Sequence, residues 1–113
     1  IMKDKNCIFC KIANGDIPVE PVWENEKVFA FKDADPQAPV HILVVPKDHY
    51  ASLNELDDKN LMGELINGVK SAAKALGLKE YRTVLNTGES AGQTVFHIHF
   101  HVLSGRDFNW PPG

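Results

Sequence analysis

Three histidines alternate with apolar residues near the end of the chain, where residues 97–103 read HIHFHVL. Successive side chains of a β-strand point to opposite faces, so this spacing predicts that His97, His99 and His101 share one face. Same-face neighbours in a strand lie about 6.6–7 Å apart, which is close to the span of a phosphate and its leaving group. A neutral imidazole can attack phosphorus, and a neighbouring imidazole can protonate the departing group. The segment therefore indicates a site for chemistry at a phosphate.

A three-histidine metal site is the competing interpretation of this segment, because carbonic-anhydrase-type zinc is bound by three imidazoles. On a strand the first and third histidines would have Cα atoms roughly 13–14 Å apart, which is far for a shared ion. Positive charges on neighbouring imidazoles also lower one another's pKa, so at least one ring is expected to be neutral at pH 7. Both considerations favour the nucleophile over the metal site.

The segment that precedes the histidines could hold an anion. Residues 86–94 read NTGESAGQT, and glycines such as Gly92 let backbone N–H groups approach a phosphate closely. Asn86, Gln93 and Thr94 add neutral hydrogen-bond donors. An ordinary turn between strands could have the same composition, but the position directly before the histidines favours a role in phosphate binding.

The two cysteines, Cys7 and Cys10, form a C-x-x-C pair near the start of the chain. A redox pair of the thioredoxin type follows a strand, and no strand is predicted before this pair, so half of a zinc site is the better interpretation. His49 and His97 could complete a tetrahedral set of two cysteines and two histidines. Two buried free thiols with His49 at the surface are the alternative, and the residues alone leave the two possibilities equal.

One long helix, one short helix and five strands are predicted to position these residues. The predicted helices cover residues 7–14 and 53–77, and the predicted strands cover residues 22–24, 28–32, 40–45, 81–86 and 97–103. The long helix rests on apolar residues at helical spacing, Leu61 and Leu65 among them. Strands segregated from one dominant helix predict an α+β fold with a mainly antiparallel sheet.

Composition limits the class of protein. A chain of 113 residues with 43% apolar residues and a net charge of −3 predicts a single domain over residues 1–113 and no nucleic-acid partner. No apolar run approaches the ~18–20 residues that span a membrane, and the start lacks the apolar stretch of a signal peptide, so we predict a cytoplasmic location and no membrane partner. Residues 1–6 are predicted to be a disordered or cloning-derived start, with Met2 as the natural first residue.

These motifs together resemble the histidine triad family, whose signature is His-φ-His-φ-His-φ-φ with φ apolar. Residues 97–103 fit that signature completely. Residues 31–41, which read FKDADPQAPVH, and the tail WPPG are similar to the Hint-like branch, the nucleoside phosphoramidases. The resemblance implies a five-stranded antiparallel sheet with two helices and a homodimer in which two copies form a ten-stranded sheet. The tail, residues 109–113, would dock near the site of the partner.

The resemblance also implies roles for the candidate residues. His99 would be the nucleophile that carries the nucleotidyl group, His101 would contact the phosphate and manage protons, and His41 would support the triad from the neighbouring strand. Asp33 would accept hydrogen bonds from the ribose hydroxyls. The remaining nucleotide contacts would come from Asn86, Gly92, Gln93 and Thr94 on the phosphate side and from Phe9, Ile12, Phe31 and Leu43 around the base.

A structural zinc is a further implication, since some members of the family bind it through residues that match Cys7, Cys10, His49 and His97. Four protein ligands leave no open position for substrate, so no catalytic metal is expected. The implied activity is hydrolysis of a purine nucleoside 5′-phosphoramidate, such as AMP joined to an amine, through a nucleotidyl-histidine. A dinucleoside polyphosphate hydrolase of the same family and a nucleotide-binding scaffold with weak turnover are the alternatives.

Overall fold

A computed structural model describes residues 3–113. The elements are α1 (Ile8–Ala13), β1 (Trp23–Glu24), β2 (Val28–Lys32), β3 (Val40–Pro46), α2 (Lys59–Ala75), β4 (Arg82–Leu85) and β5 (Phe100–Ser104), with single 3₁₀ turns at Leu53–Glu55 and Glu89–Ala91. Of the start that was predicted to be disordered, Ile1 and Met2 lie outside the described residues. Residues 4–7 form a turn in which the Cys7 N–H donates to the Asp4 carbonyl at 3.0 Å and the Asn6 N–H donates to Asp4 Oδ1 at 2.9 Å. The disorder of the start stays a prediction.

The five strands form one sheet in the order β1-β2-β3-β5-β4, and every neighbouring pair is antiparallel. The α+β class predicted from the sequence, with one long and one short helix, is therefore confirmed. Within residues 3–113, no helix has both the length and the apolar character needed to cross a bilayer.

The long helix α2 begins at Lys59, six residues later than the sequence predicted. Two side chains cause the difference: Ser52 accepts a hydrogen bond from the Asn54 N–H and starts a separate 3₁₀ turn, while Asp58 accepts one from the Leu61 N–H and caps α2. Leu56 lies between the two with extended backbone angles, which interrupts the helix. The predicted helix therefore combined two separately capped segments, the 3₁₀ turn at Leu53–Glu55 and α2.

The sheet separates two apolar clusters, one for each helix. Even-numbered residues of β2 and β3, such as Val28 and Val44, pack against α2, together with Ile98 and Val102. Odd-numbered residues of β2 and β3 point to the other face, which we call the α1 face, where they pack against α1. The alternation in residues 97–103 consequently directs Ile98 and Val102 to α2, and the histidines to the α1 face.

The last strand is shorter than predicted. Its ladder covers Phe100–Ser104 and pairs with β3 and β4, so His101 lies in the strand while His97 and His99 precede it. The Ile98 N–H donates to the Tyr50 carbonyl at 2.7 Å rather than to a neighbouring strand. The side chains of residues 97–99 still alternate as in a strand, although the hydrogen-bonded ladder begins only at Phe100.

Gly68 allows close contact between α2 and the sheet, and its replacement provides a test of this packing. A Cβ at Gly68 would lie 2.8 Å from Val28 Cγ1 and 3.1 Å from Val44 Cγ1, whereas a Cβ at Gly63 would contact nothing within 4 Å. We expect Gly68→Ala to lower the free energy of unfolding by about 1–3 kcal/mol, and Gly63→Ala in the same helix to raise it by up to about 1 kcal/mol. Urea denaturation measures both, and equal effects of the two substitutions would contradict this packing.

Candidate active site and metal centre

The triad histidines form a contiguous set on the α1 face, beside a phenylalanine of α1. The ring centroids of Phe9 and His99 are 5.1 Å apart, those of Phe9 and His97 are 6.0 Å apart, and those of His99 and His101 are 4.9 Å apart. His97 and His99 are buried, and His101 is half-buried. The rings therefore pass in sequence from the interior of the α1 face toward solvent.

The hydrogen bond of the middle histidine leaves one ring nitrogen available for attack. His99 Nδ1 lies 2.8 Å from the His97 carbonyl oxygen. Because a carbonyl can only accept, this geometry assigns the proton to Nδ1 and a lone pair to Nε2. Burial lowers the pKa of His99 below its usual 6.5, so the ring is neutral at pH 7. A neutral imidazole with an unprotonated Nε2 is a competent nucleophile.

The third histidine has the opposite tautomer, and a fourth histidine sets it. The backbone N–H of Gln37 donates to His41 Nδ1 at 3.0 Å, so the proton of the neutral His41 ring lies on Nε2. His41 Nε2 then donates to His101 Nδ1 at 2.8 Å, which places the proton of His101 on Nε2. Burial, reinforced by the nearby His99 and His41, lowers the pKa of His101 to about 4. The site thus presents an acceptor on His99 beside a donor on His101.

Asp33 lies at the far end of this chain of rings. Its Oδ2 is 3.4 Å from His41 Nε2, and its Oδ1 accepts from the Asp35 N–H at 2.8 Å. Asp33, His41 and His101 could by composition hold a cation. The 2.8 Å between the two histidine nitrogens is, however, a hydrogen-bond distance, shorter than the about 3.3 Å between imidazole nitrogens on one tetrahedral ion. His41 and His101 therefore form a hydrogen-bonded relay, and Asp33 lies beside it as a charged neighbour.

Gln93 is buried, and its side-chain amide is engaged with three backbone groups. Its Oε1 accepts from the Gly88 N–H at 2.9 Å, and its Nε2 donates to the Ala51 carbonyl at 2.7 Å and to the Val95 carbonyl at 3.1 Å. Its own backbone N–H donates to the Gly88 carbonyl. These hydrogen bonds fix the shape of the loop, and the contact of Gln93 with a phosphate stays a prediction.

The other residues predicted for the phosphate lie at the ends of the same loop. Asn86 Nδ2 donates to the Gly92 carbonyl at 3.4 Å, which leaves a second amide hydrogen on Asn86. Gly92 has φ +100°, and a Cβ there would lie 3.3 Å from Asn86 Nδ2, so the position requires glycine. Thr94 is exposed. The structure thus keeps Asn86, Gly92 and Thr94 in one loop before the triad.

The residues predicted to surround a base meet on the α1 face. Phe9 and Phe31 are in edge contact with ring centroids 5.7 Å apart. All four residues are buried in the same apolar cluster and come from α1, β2 and β3; they are Phe9, Ile12, Phe31 and Leu43. Phe9 is the member of this apolar group whose ring contacts His99.

A second cluster lies at the inner end of the triad and contains both cysteines. His97 Nδ1 is 3.4 Å from Cys7 Sγ, 3.4 Å from Cys10 Sγ and 3.3 Å from His49 Nδ1, and Cys10 Sγ is 3.3 Å from His49 Nδ1. The separations expected around a tetrahedral zinc are about 3.3–3.4 Å between two nitrogens and about 3.6 Å between nitrogen and sulfur. These four separations are close to those of a tetrahedral zinc site, and all four donor atoms lie within 4.8 Å of one another.

The chemistry of the donors also fits a zinc ion. His97 Nε2 lies 2.8 Å from the Pro46 carbonyl, so Nε2 carries the proton and the lone pair of Nδ1 faces the cluster. Burial lowers the pKa of His97 to about 4 and raises the pKa of Cys10 to about 11. A cation that replaces the thiol protons would compensate the buried thiolates. The set Cys7, Cys10, His49 and His97 is compatible with a structural Zn²⁺.

Three backbone groups that define this site were missed by sequence reasoning. The carbonyls of Pro46 and His97 and the N–H of Gln37 determine which nitrogen of a histidine carries the proton. Every residue has such groups, so the sequence contains no signal for the few that face a histidine. The Asp33–Pro39 loop could be recognised as a loop, but not as the source of a donor.

The chain matches the HIT domain model over residues 14–108. It is 45% identical over 117 residues to the 14 kDa zinc-binding protein of Zea mays, across 99% of this chain and 91% of the relative. It superposes on a HIT family hydrolase from Legionella pneumophila with a TM-score of 0.89 and 46% identity, across 96% of this chain and 100% of that one.

The histidine triad nucleotide-binding protein of Candida albicans is a more distant structural match, with a TM-score of 0.79 and 34% identity, across 93% of this chain and 82% of that one. The family predicted from the motifs is confirmed, whereas the Hint-like branch stays a prediction. The chain belongs to the HIT domain family.

Proposed function

We propose that the protein is a hydrolase that cleaves a purine nucleoside 5′-phosphoramidate through a covalent nucleotidyl-His99 intermediate. The observation that carries this proposal is the pair of opposite tautomers, with a lone pair on His99 Nε2 and a proton on His101 Nε2. An amine is a poor leaving group unless it is protonated, so a nucleophile beside a proton donor suits a phosphorus–nitrogen bond. The similarity to a HIT family hydrolase and to a histidine triad nucleotide-binding protein supports hydrolysis and nucleotide binding.

In the first step, His99 Nε2 attacks the phosphorus and the phosphorus–nitrogen bond breaks. His101 gives its Nε2 proton to the departing nitrogen, so the amine leaves neutral. His101 is left as an imidazolate, and its negative charge balances the positive charge that the new bond creates on the adjacent His99 ring. The Nδ1 proton of His99 remains hydrogen-bonded to the His97 carbonyl, which stabilises this positive ring.

In the second step, water attacks the phosphorus from the side that the amine has left. Water gives a proton to His101 Nε2, the bond between phosphorus and His99 breaks, and a nucleoside monophosphate is released. His101 thereby recovers in the second step the proton that it donated in the first. His41 keeps His101 in the required orientation through the 2.8 Å hydrogen bond to Nδ1.

The nucleotide is proposed to lie along the α1 face. The base would contact the apolar surface beside His99, and Asp33 would accept hydrogen bonds from the ribose hydroxyls through Oδ2. Asn86, Thr94 and the backbone of Gly92 would donate to the phosphate. The base contacts would come from Phe9, Ile12, Phe31 and Leu43.

We further propose that two copies form a homodimer. β4 lies at one edge of the sheet, so pairing with a second copy there would give ten strands. Trp110 is 82% exposed on the irregular tail 109–113, and its large apolar surface favours docking against a partner. The Arg82 guanidinium donates to the Asn109 carbonyl at 3.0 Å, which holds the start of the tail beside β4. The cytoplasmic location stays a prediction.

The leaving group distinguishes this function from the main alternative, a dinucleoside polyphosphate hydrolase. We expect kcat/KM for AMP joined to an alkyl amine to exceed kcat/KM for a diadenosine polyphosphate by at least about tenfold. The two substrates share the nucleoside and differ in the leaving group, because an alkyl amine must gain a proton as it departs whereas a nucleoside phosphate leaves as an anion. Release of AMP measured side by side under the same conditions is the test, and faster cleavage of the dinucleotide would favour the alternative.

A further inference from the structure

We propose that Arg106 is a positioning residue that fixes the tautomer of His101 from outside the site, through the backbone of Gln37. The link to leaving-group protonation rests on the proposed function, whereas the effect on the tautomer does not. None of the substrate contacts proposed above involves Arg106, which follows β5 in an exposed turn.

The Arg106 side chain is fixed at both of its terminal nitrogens. Nη2 donates to the Gln37 carbonyl at 3.1 Å, and Nη1 donates to the Asp107 carbonyl at 3.1 Å. The guanidinium carbon also lies 4.2 Å from the centroid of the Phe108 ring, a cation–π contact. Arg106 therefore joins the turn after β5 to the Asp33–Pro39 loop.

A second contact between the same two segments lies next to the first. Gly105 has φ +97°, and a Cβ there would lie 2.8 Å from Pro39 Cβ and 3.1 Å from Pro39 Cγ. Only glycine lets the turn approach the loop so closely. The loop is thus held at Pro39 by direct packing and at Gln37 by Arg106, immediately before β3 begins.

Gln37 transmits this constraint through its backbone. Its carbonyl accepts from Arg106, and its N–H donates to His41 Nδ1 at 3.0 Å. The Gln37 side chain is directed elsewhere and donates to the Asp35 carbonyl at 3.0 Å. The position of the Gln37 backbone, and not its side chain, therefore decides whether His41 Nδ1 has a donor.

Loss of the Gln37 N–H donor would allow the hydrogen bond between His41 and His101 to reverse its direction. His41 could then carry its proton on Nδ1, and its Nε2 would become an acceptor. His101 would have to donate from Nδ1 to His41, which removes the proton from His101 Nε2. The nucleophile His99 is held separately, through the His97 carbonyl, and would keep its tautomer.

Kinetics with two leaving groups test this inference. Arg106→Ala is expected to lower kcat/KM for an adenosine phosphoramidate of an alkyl amine by about tenfold or more, and to change kcat/KM for the p-nitrophenyl ester of AMP by less than about twofold. This constant reports the steps up to departure of the leaving group. The ester releases a stable phenolate that needs no proton, so only the amidate depends in those steps on the proton of His101 Nε2. Arg106→Lys keeps a donor for the Gln37 carbonyl. It should therefore retain most of the native ratio of kcat/KM for the amidate to kcat/KM for the ester.

Arg82→Ala is the matched control. Arg82 stacks on the same Phe108 ring, with its guanidinium carbon 5.2 Å from the centroid, and it also donates to a backbone carbonyl, that of Asn109. It does not contact Gln37, so Arg82→Ala should leave the ratio of the two rates unchanged. A similar change of the ratio in Arg82→Ala, or an unchanged ratio in Arg106→Ala, would overturn the proposal.

Histidine ¹⁵N NMR provides a readout that needs no turnover. We expect His41 and His101 to carry their protons on Nε2 in the native protein and in Arg82→Ala, and to become mixtures of tautomers in Arg106→Ala. Gln37→Pro, which lacks the N–H, should give the same change, and Gln37→Ala should not. If the native protein fails to cleave the amidate, the proposed function is wrong and the spectra still decide the role of Arg106; native tautomers in a folded Arg106→Ala would overturn it.

Discussion

Replacement of His99 by asparagine is expected to lower kcat/KM for phosphoramidate hydrolysis by at least about 10³-fold. Asparagine can still donate from its side-chain amide toward the His97 carbonyl, which His99 Nδ1 contacts at 2.8 Å in the native protein. It lacks a nucleophilic nitrogen, so the covalent step is lost while the hydrogen bond and most of the volume are kept. Steady-state release of AMP measures the effect.

A loss of activity in His99→Asn is informative only if the variant is folded. His99 is 5% exposed and packs edge-on against Phe9, so an alanine there would leave a gap beside Phe9 and an unpaired carbonyl. His99→Asn should retain the cooperative thermal unfolding of the native protein. Hydrolysis by a folded His99→Asn protein at the native rate would show that another residue attacks phosphorus.

The second large effect concerns the cluster of two cysteines and two histidines. Cys10→Ser should abolish stoichiometric zinc binding and lower Tm by on the order of 10 °C. Zinc bound only by the folded state at 1,000 times its Kd contributes about 4 kcal/mol, and each kcal/mol shifts Tm by several degrees in a domain of this size. Elemental analysis and thermal denaturation of protein purified without a metal column give both quantities.

Ala13→Ser is the matched control for the zinc prediction. Ala13 and Cys10 lie in the same short helix and are each 4% exposed, but Ala13 is not a ligand. The control introduces the same buried hydroxyl, so any difference between the two variants reports the metal. A chelator should also lower the Tm of the native protein and of Ala13→Ser, and not that of Cys10→Ser. Substoichiometric metal in the native protein would contradict the prediction.

The zinc cluster and the nucleophile are connected through one residue. His97 directs Nδ1 into the cluster and offers its carbonyl to His99 Nδ1. Loss of the metal would loosen His97 and with it the hydrogen bond that leaves the lone pair on His99 Nε2. A structural ion can therefore act on the reaction without contacting the substrate.

Side-chain patterns predicted which residues meet in this protein. The alternation in residues 97–103 correctly placed the histidines on one face and Ile98 and Val102 on the other, because period-two spacing depends only on local backbone geometry. The C-x-x-C pair indicated half of a zinc site, and the structure brings His49 and His97 to it. Such predictions succeed where the type and spacing of the side chains determine which residues meet.

Predictions failed where long-range backbone contacts decide the outcome. The ladder of β5 begins only at Phe100, since the Ile98 N–H pairs with Tyr50, which is distant in sequence. Likewise, the Gln93 amide donates to the Ala51 carbonyl, a contact that nothing in the sequence indicated. Neither partner can be read from residue type or spacing.

The central claim is that His99 becomes covalently attached to the nucleotide during turnover. Native protein mixed with AMP joined to an amine, quenched with base to preserve the phosphorus–nitrogen bond, and analysed by mass spectrometry should show one adenylyl group per active site. Fragmentation should place that group on His99, and His99→Asn should show none. An adenylyl group on a different residue, or rapid turnover with no covalent species at any time, would contradict the account.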